Sequence, residues 1–320
     1  MSTKTIRLQR HFNASAERVF DAWLDPQRVG RWLFTTPKGQ IVRVQIDARV
    51  GGSFLITRRD DQDIDHVGKY LEIDRPCWLV FEFSVPRFSK QSTLVSIDIA
   101  PAPDGCDLTL THTGVLPEWI DKTTEGWGRI LASLAGEIDP NASFGILIEP
   151  GAVRFQRLLP GPIERVWAYL ADGDKRALWF AGGKTEPRVG GLFELKCDFP
   201  SLVADRSPTP EKFKNLVGEH APHYQQRITR FDPPNVLSWT WDGGIDGPSE
   251  VTFELSPRDQ KVLLVLTHRR IADKNIPNIA AGWHVHLSLL LDRLQDRIPP
   301  VFWPLVEEMD REYDYRLGEK

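Results

Sequence analysis

The chain has 320 residues, of which 41% are hydrophobic and 26% charged, a globular rather than a disordered balance that at about 150 residues per domain predicts two domains. Its 40 Lys and Arg stand against 44 Asp and Glu, and residues up to Glu149 carry 17 basic and 20 acidic side chains, so neither half has the basic excess of a nucleic-acid binder. No apolar run reaches the length of a membrane span, and the opening MSTKTIRLQRHF lacks the apolar core of a secretory signal.

In chain order, an opening strand leads to a short amphipathic helix around Phe20, Trp23 and Leu24, with Ser15 placed to cap it. Gly51-Gly52 reads as a turn or bulge that opens a strand-rich stretch. Leu79 to Phe83 alternates at period two, with aromatic residues on one face. Asp104-Gly105 predicts a hairpin turn between strands around Ile97 and Leu108. A long helix follows, with Trp127, Ile130, Leu131, Leu134 and Ile138 in one stripe, and it stops near Asp139-Pro140-Asn141.

The second half repeats the first in the same order. Glu17-Arg18-Val19-Phe20 recurs as Glu164-Arg165-Val166-Trp167, and Trp32 as Trp179. Arg49-Val50-Gly51-Gly52 recurs as Arg188-Val189-Gly190-Gly191, and Leu110-Thr111-His112 as Leu266-Thr267-His268. Gly126-Trp127 recurs as Gly282-Trp283, while Gly68 is replaced by Gln226. The expected division is a first domain over 1–142, a second over 150–303 with a Pro-rich insertion at about 198–222, and a helical extension over 304–320. Each domain is expected to be α+β, a curved antiparallel sheet laid on its last helix.

The ordered set Glu17-Arg18-Val19-Phe20, Trp32, Val50-Gly51-Gly52-Ser53-Phe54, Gly68, Glu72-Ile73-Asp74-Arg75-Pro76, Leu110-Thr111-His112 and Gly126-Trp127 resembles the family named after the activator of the heat-shock-protein-90 ATPase. That family lies in the START-like superfamily, also called SRPBCC or birch-pollen-allergen-like. The resemblance covers about residues 8–138 and, more loosely, about 155–296. It implies two tandem helix-grip domains, each with about seven strands wrapped on the final helix, and in many members a deep apolar pocket. It also implies a possible protein partner, a chaperone ATPase.

Trp32, Phe54, Phe81, Phe83, Trp127 and Leu131 are expected between sheet and helix in the first copy, with His112 as the polar contact. The second copy places Trp179, Phe193, Trp239, Trp241, Trp283 and Leu287 there, with His268 and His286. Two readings stay open: these residues fill a core, or they line a pocket for a small apolar ligand. His286 takes the stripe position of Ile130 and is placed to meet His268, which makes the two the weak catalytic candidates. His284 lies on another helical face, and His220 and His223 lack acidic or thiol partners, so no metal and no cofactor is expected. Asp61, Asp63, Asp65 and Glu72 have the carboxylate spacing of a calcium loop, but His66 stands where that loop needs Gly.

Cys77, Cys106 and Cys197 are too scattered for a disulfide framework, which points to a reducing, cytoplasmic setting. GxSxG, Walker and GxGxxG motifs are absent. The expected function is non-catalytic binding of a small apolar or aromatic ligand, without nucleic acid or membrane. The alternatives are a protein-interaction module acting on a chaperone ATPase, and a cyclase- or hydrolase-type enzyme using the pocket histidines.

Overall fold

The computed structural model describes residues 3–318 apart from 90, 104, 206, 207, 243 and 300. It divides into two compact units, one ending at Ser143 and the other beginning at Phe144. The first contains β1 (Lys4–Phe12), α1 (Ala16–Leu24), α2 (Pro26–Val29), β2 (Gln40–Ile46), β3 (Ser53–Arg59), β4 (Asp63–Asp74), β5 (Trp78–Ser84), β6 (Thr93–Ala102), β7 (Gly105–Val115) and α3 (Ile120–Ile138). The second contains β8 (Ile146–Glu149), β9 (Ala152–Pro160), α4 (Ile163–Ala171), α5 (Gly173–Arg176), β10 (Leu192–Lys196), β11 (His223–Asp232), β12 (Val236–Trp241), β13 (Ser249–Arg258), β14 (Lys261–Arg269), α6 (Ile276–Leu294) and α7 (Trp303–Leu317).

Each unit is a seven-stranded antiparallel sheet with a long helix after its last strand, so the two tandem helix-grip domains are present. The strand orders are β1-β7-β6-β5-β4-β3-β2 and β10-β11-β12-β13-β14-β9-β8. Six strands of each sheet match in order, and the seventh lies on opposite edges. In the first unit it is β2, paired with β3. In the second it is β8, paired with β9.

The repeated motifs have repeated geometry. Ser15 accepts from the Arg18 amide and caps α1. Arg18 then donates to the Ile138 carbonyl at the end of α3, and Arg165 reaches Asp296 just beyond α6. Gly51 sits at φ +82° and Gly190 at φ +76°, a region open to Gly at no steric cost. The Gly51 amide donates to Tyr70 O and the Gly52 carbonyl accepts from the Tyr70 amide; Gly190 and Gly191 hold Ile228 in the same way. A Cβ on Gly52 would lie 2.1 Å from Asp47 O, and one on Gly191 2.5 Å from Glu186 O. The glycine pair is therefore a tight turn locked onto the next strand. At the expected hairpin, Ala102 pairs with Gly105, and Asp104 lies outside the described residues.

In place of β2 the second unit has isolated bridges to β10, Gly182 to Lys196 and Thr185 to Phe193, and these leave the carbonyls of Ala181 and Gly183 to other donors. Arg176, only 1% exposed, is that donor. It donates to Ala181 O, Gly183 O and Glu194 O at 2.9, 3.1 and 3.0 Å. By the repeat alignment its place in the first unit is taken by buried Val29.

The insertion folds into short 3-10 turns at Phe199–Leu202, Glu211–Leu216 and Gly218–His220. Phe213 stacks on Trp303 at 4.9 Å and Phe199 on Phe302 at 5.3 Å, so the insertion rests on the start of α7. Tyr313 anchors α7 from the other side. Its hydroxyl accepts from the Gly145 amide at 2.7 Å and donates to His284 Nδ1 at 3.0 Å.

Candidate functional site

His112 and His268 occupy equivalent places at the ends of β7 and β14, and each is bonded through both ring nitrogens. Trp127 Nε1 donates to His112 Nδ1 at 2.9 Å, and Trp283 Nε1 donates to His268 Nδ1 at 3.1 Å. An indole N–H is only a donor, so Nδ1 is the acceptor and Nε2 carries the proton. His112 Nε2 then donates to Thr93 Oγ1 at 2.7 Å, and His268 Nε2 to Ser249 Oγ at 2.9 Å. Each hydroxyl passes its own proton onward, Thr93 to Phe83 O and Ser249 to Trp241 O. Desolvation pushes the histidines down to about 4 and about 3. Ser249 and His268 thus touch, but with the proton directions opposite to those of a nucleophile and its base.

In the first unit the sheet-to-helix space is occupied by its own rings. Trp23 lies 4.8 Å from Trp32, edge on, and Phe54 lies 5.5 Å from Phe81. Phe34 stacks on His66 at 4.2 Å and on Phe83 at 5.3 Å, with Trp127 6.1 Å away. The cavity left among Trp23, Phe34, Phe54 and Phe81 measures about 10 Å³, room for a single water at most. Leu131 is buried on α3 within this core. Phe83 and His112 also border an outward-facing depression of about 220 Å³, whose rim carries the exposed Phe88 and Trp119.

The second unit holds a cavity of about 210 Å³. Its inner wall is Trp241 of β12, Tyr224 of β11, Phe180, and Trp283 and His286 of α6. Its outer wall is Phe199, Phe213 and Leu216 from the insertion, with Phe302, Trp303 and Val306 from α7. Trp179, Phe193, Trp239 and Leu287 lie deeper and pack in the core, as in the 4.6 Å contact between Phe193 and Trp239. Of the expected residues, the structure brings Trp241, Trp283 and His286 to the cavity wall.

His286 does not hydrogen-bond to His268. Its Nδ1 donates to Trp179 O at 2.9 Å, which leaves Nε2 as an acceptor with no hydrogen-bond partner among the described residues. The ring is 7% exposed, and burial holds it neutral, down to about 4. Phe180, Phe199 and Phe302 surround it at 5.0, 5.8 and 5.8 Å. Cys197 also lines the cavity, its thiol pushed up to about 12 by burial and so not a nucleophile at neutral pH. Among the described residues no Lys or Arg lines the wall; Asp310 does, and it pairs with Lys212 at 3.1 Å.

Among the described residues no group of three His, Cys, Asp or Glu side chains is placed to hold a metal ion. His223 pairs with Glu194 instead. The acidic run of the β3–β4 hairpin is taken up by its neighbours, Asp60 by Arg58, Asp63 by Arg59 and Asp65 by Thr57. No helix among the described residues is long and apolar enough to cross a membrane.

Sequence reasoning missed the outer wall. Phe199, Phe213, Phe302 and Trp303 belong to no repeated motif. The available signal was the aromatic content of a Pro-rich insertion and of the segment before α7, which a solvated loop does not need.

The sequence profile of the family described as Activator of Hsp90 ATPase homolog 1-like protein matches residues 13–139 and again 160–295. A solved protein from Bordetella parapertussis is 42% identical over 55% of this chain and 91% of its own, with a TM-score of 0.48. An AHSA1-like protein from Aeromonas hydrophila is 21% identical over 42% of this chain and 92% of its own, with a TM-score of 0.38. DynU16, from the dynemicin biosynthetic locus, is 15% identical and covers 91% of this chain and 98% of its own, with a TM-score of 0.35. A comparison with curated proteins gives no match.

Proposed function

The chain belongs to the Activator of Hsp90 ATPase homolog 1-like family, with two copies of its domain, and we propose that it is a non-catalytic binding protein whose second unit takes up a compact aromatic or apolar molecule. The observation that carries this reading is the difference between the copies. The first has about 10 Å³ among Trp23, Phe34, Phe54 and Phe81 and an uncovered depression of about 220 Å³ at Phe83 and His112, whereas in the second a space of about 210 Å³ at Trp241 and Trp283 is walled by an insertion and an added helix. An apolar cavity of about 150 Å³ is enough to hold benzene, so the second unit has room for one or two fused rings. The histidine tautomers favour binding over catalysis, since His268 has no free ring nitrogen to act as a base.

Gly282 supplies the test. It lines the cavity on α6, and a Cβ placed there meets no heavy atom within 4 Å. Gly282→Leu fills the cavity and at the same time replaces a helix-interior Gly, which is worth up to about 1 kcal/mol to the helix. The variant is expected to melt at or above the parent temperature. Thermal-shift titration with indole and p-cresol should stabilise the parent and leave the variant unmoved. Parent protein that responds to neither probe, and carries no added mass in native mass spectrometry, overturns the reading.

A protein-docking role is the second reading, and its support lies in the first unit. Phe88 and Trp119, 60% and 42% exposed, meet at 6.4 Å on the rim of the open depression. A chaperone-ATPase assay with a Phe88→Ser, Trp119→Ser double variant tests it: stimulation by the parent and loss in the variant support docking, and no stimulation by the parent rejects it.

A further inference from the structure

Resting on the binding reading above, we infer that the cavity of the second unit selects neutral aromatic molecules that carry one hydrogen-bond donor, received by His286 Nε2. The tautomer is what decides this. Trp179 O can only accept, so the His286 proton sits on Nδ1 and the Nε2 lone pair is left over. His286 lines the cavity, and its Nε2 is not among the buried unpartnered atoms, so the lone pair faces the cavity space and is open to whatever fills it. A ligand that fills the cavity displaces water from this acceptor, so one that brings an O–H or N–H replaces the hydrogen bond and one without a donor forfeits it.

The rest of the wall sets the charge of the ligand. Phe180, Phe199, Trp241, Trp283, Phe302 and Trp303 offer ring surface. Among the described residues no Lys or Arg stands on the wall to receive an anion, and Asp310, the carboxylate on it, is paired with Lys212. A carboxylate ligand would set its charge against the Nε2 lone pair, and the Asp310–Lys212 pair, already neutralised, offers it no free cation. A ligand with only an acceptor would place two lone pairs against each other. Phenols and indole-type N–H heterocycles meet every condition. The first unit has Ile130 at the position equivalent to His286 and lacks this acceptor.

The test uses the full chain and isosteric pairs that differ only in the donor: indole against indene, and p-cresol against p-xylene. The parent is expected to bind the donor member of each pair about tenfold more tightly, the effect of one net hydrogen bond. In His286→Asn the side-chain amide keeps an N–H where Nδ1–H donates to Trp179 O and lacks the Nε2 acceptor. Both members should then bind alike. Nitrogen-15 spectra of the parent histidines give a second readout that needs no variant: the unprotonated Nε2 resonance of His286 should move with indole and stay still with indene. Equal binding of both members by the parent overturns this inference and leaves the cavity reading standing. Discrimination that survives in His286→Asn also overturns it. Binding of neither member overturns the cavity reading itself.

Discussion

Trp283 points its indole N–H at His268 Nδ1 across 3.1 Å, and this bond fixes where the histidine proton sits. Its counterpart, Trp127 to His112 at 2.9 Å, does the same in the first unit, so the arrangement belongs to the domain rather than to one copy. The expected outcome is that both histidines are Nε2-protonated at neutral pH, which long-range proton–nitrogen-15 correlation reads directly. Trp283→Phe keeps a ring but removes the donor and strands His268 Nδ1. That loss should lower stability by about 2 kcal/mol in urea melts. A Ser249→Ala variant should be destabilised as well, by about 1 kcal/mol, because the chain His268–Ser249–Trp241 O loses its middle member.

Buried histidines give the stability a pH dependence of known sign. His66, His112 and His286 are pushed down to about 4 and His268 to about 3, with desolvation the leading cause in each. In the unfolded chain they protonate near 6.5. Between those values the unfolded state binds more protons than the native one, so stability is full above about pH 6.5 and falls as the pH drops toward 4. Each group contributes on the order of 3 kcal/mol across that window. Urea midpoints at pH 7, 6 and 5 should therefore decline in order, and His66→Phe should flatten the slope. Midpoints that do not change over this range contradict the prediction.

The repeat made much of this fold legible. Gly51-Gly52 and Gly190-Gly191 and the helix stripes are local patterns, and they came through because each is fixed by neighbours a few residues away or by one strand partner, whereas the Trp–His bonds, which join helix to strand across 15 residues, were not read. The seventh strands did not come through. β2 and β8 lie on opposite edges, and nothing in the repeat marks either, since both are short segments outside it. The cavity was equally hidden. Whether Trp241 and Trp283 line a space or fill one depends on Phe199, Phe213 and Trp303, which reach them from other segments. One signal was present in α6. Ala280, Ala281, Trp283, Val285, Leu287, Leu289 and Leu290 cover more than one face, and a helix apolar all round needs cover on both sides. That second cover is α7 and the insertion.

Arg176 completes, with one side chain, the partial backbone pairing of residues 182–186 with β10, and its removal should be expensive. Desolvation pulls its guanidinium down to about 10, yet it remains charged at neutral pH, 4.2 Å over the Phe193 ring. Arg176→Met preserves the apolar stem and leaves the carbonyls of Ala181, Gly183 and Glu194 without this donor. The expected cost is about 4 kcal/mol, at the upper end for a point substitution. Arg176→Lys should recover only part of it, because one ammonium cannot span Ala181 O and Glu194 O as the planar fork does. Equal urea midpoints for parent and Met variant would show that water satisfies these carbonyls unaided.

Phe34 explains why the first unit is closed, and removing it should open that unit. Its backbone sits at φ 59°, a left-handed conformation that costs a non-Gly residue about 1–2 kcal/mol. The ring it carries fills the space between His66, Phe83 and Trp127. Phe34→Gly relieves the backbone and deletes the ring, whose loss from a core costs about 3–5 kcal/mol, so the net destabilisation should be about 2–3 kcal/mol. What remains is a ring-sized apolar hole, of the kind that stays dry and admits benzene. Since the second unit is itself expected to take benzene, the comparison belongs in a Gly282→Leu background, where that cavity is filled. Benzene should leave the single Gly282→Leu variant unshifted and raise the melting temperature of Gly282→Leu combined with Phe34→Gly. If benzene leaves the double variant unmoved as well, the core has collapsed around the missing ring, and Phe34 is then a packing residue whose place the neighbouring rings can take.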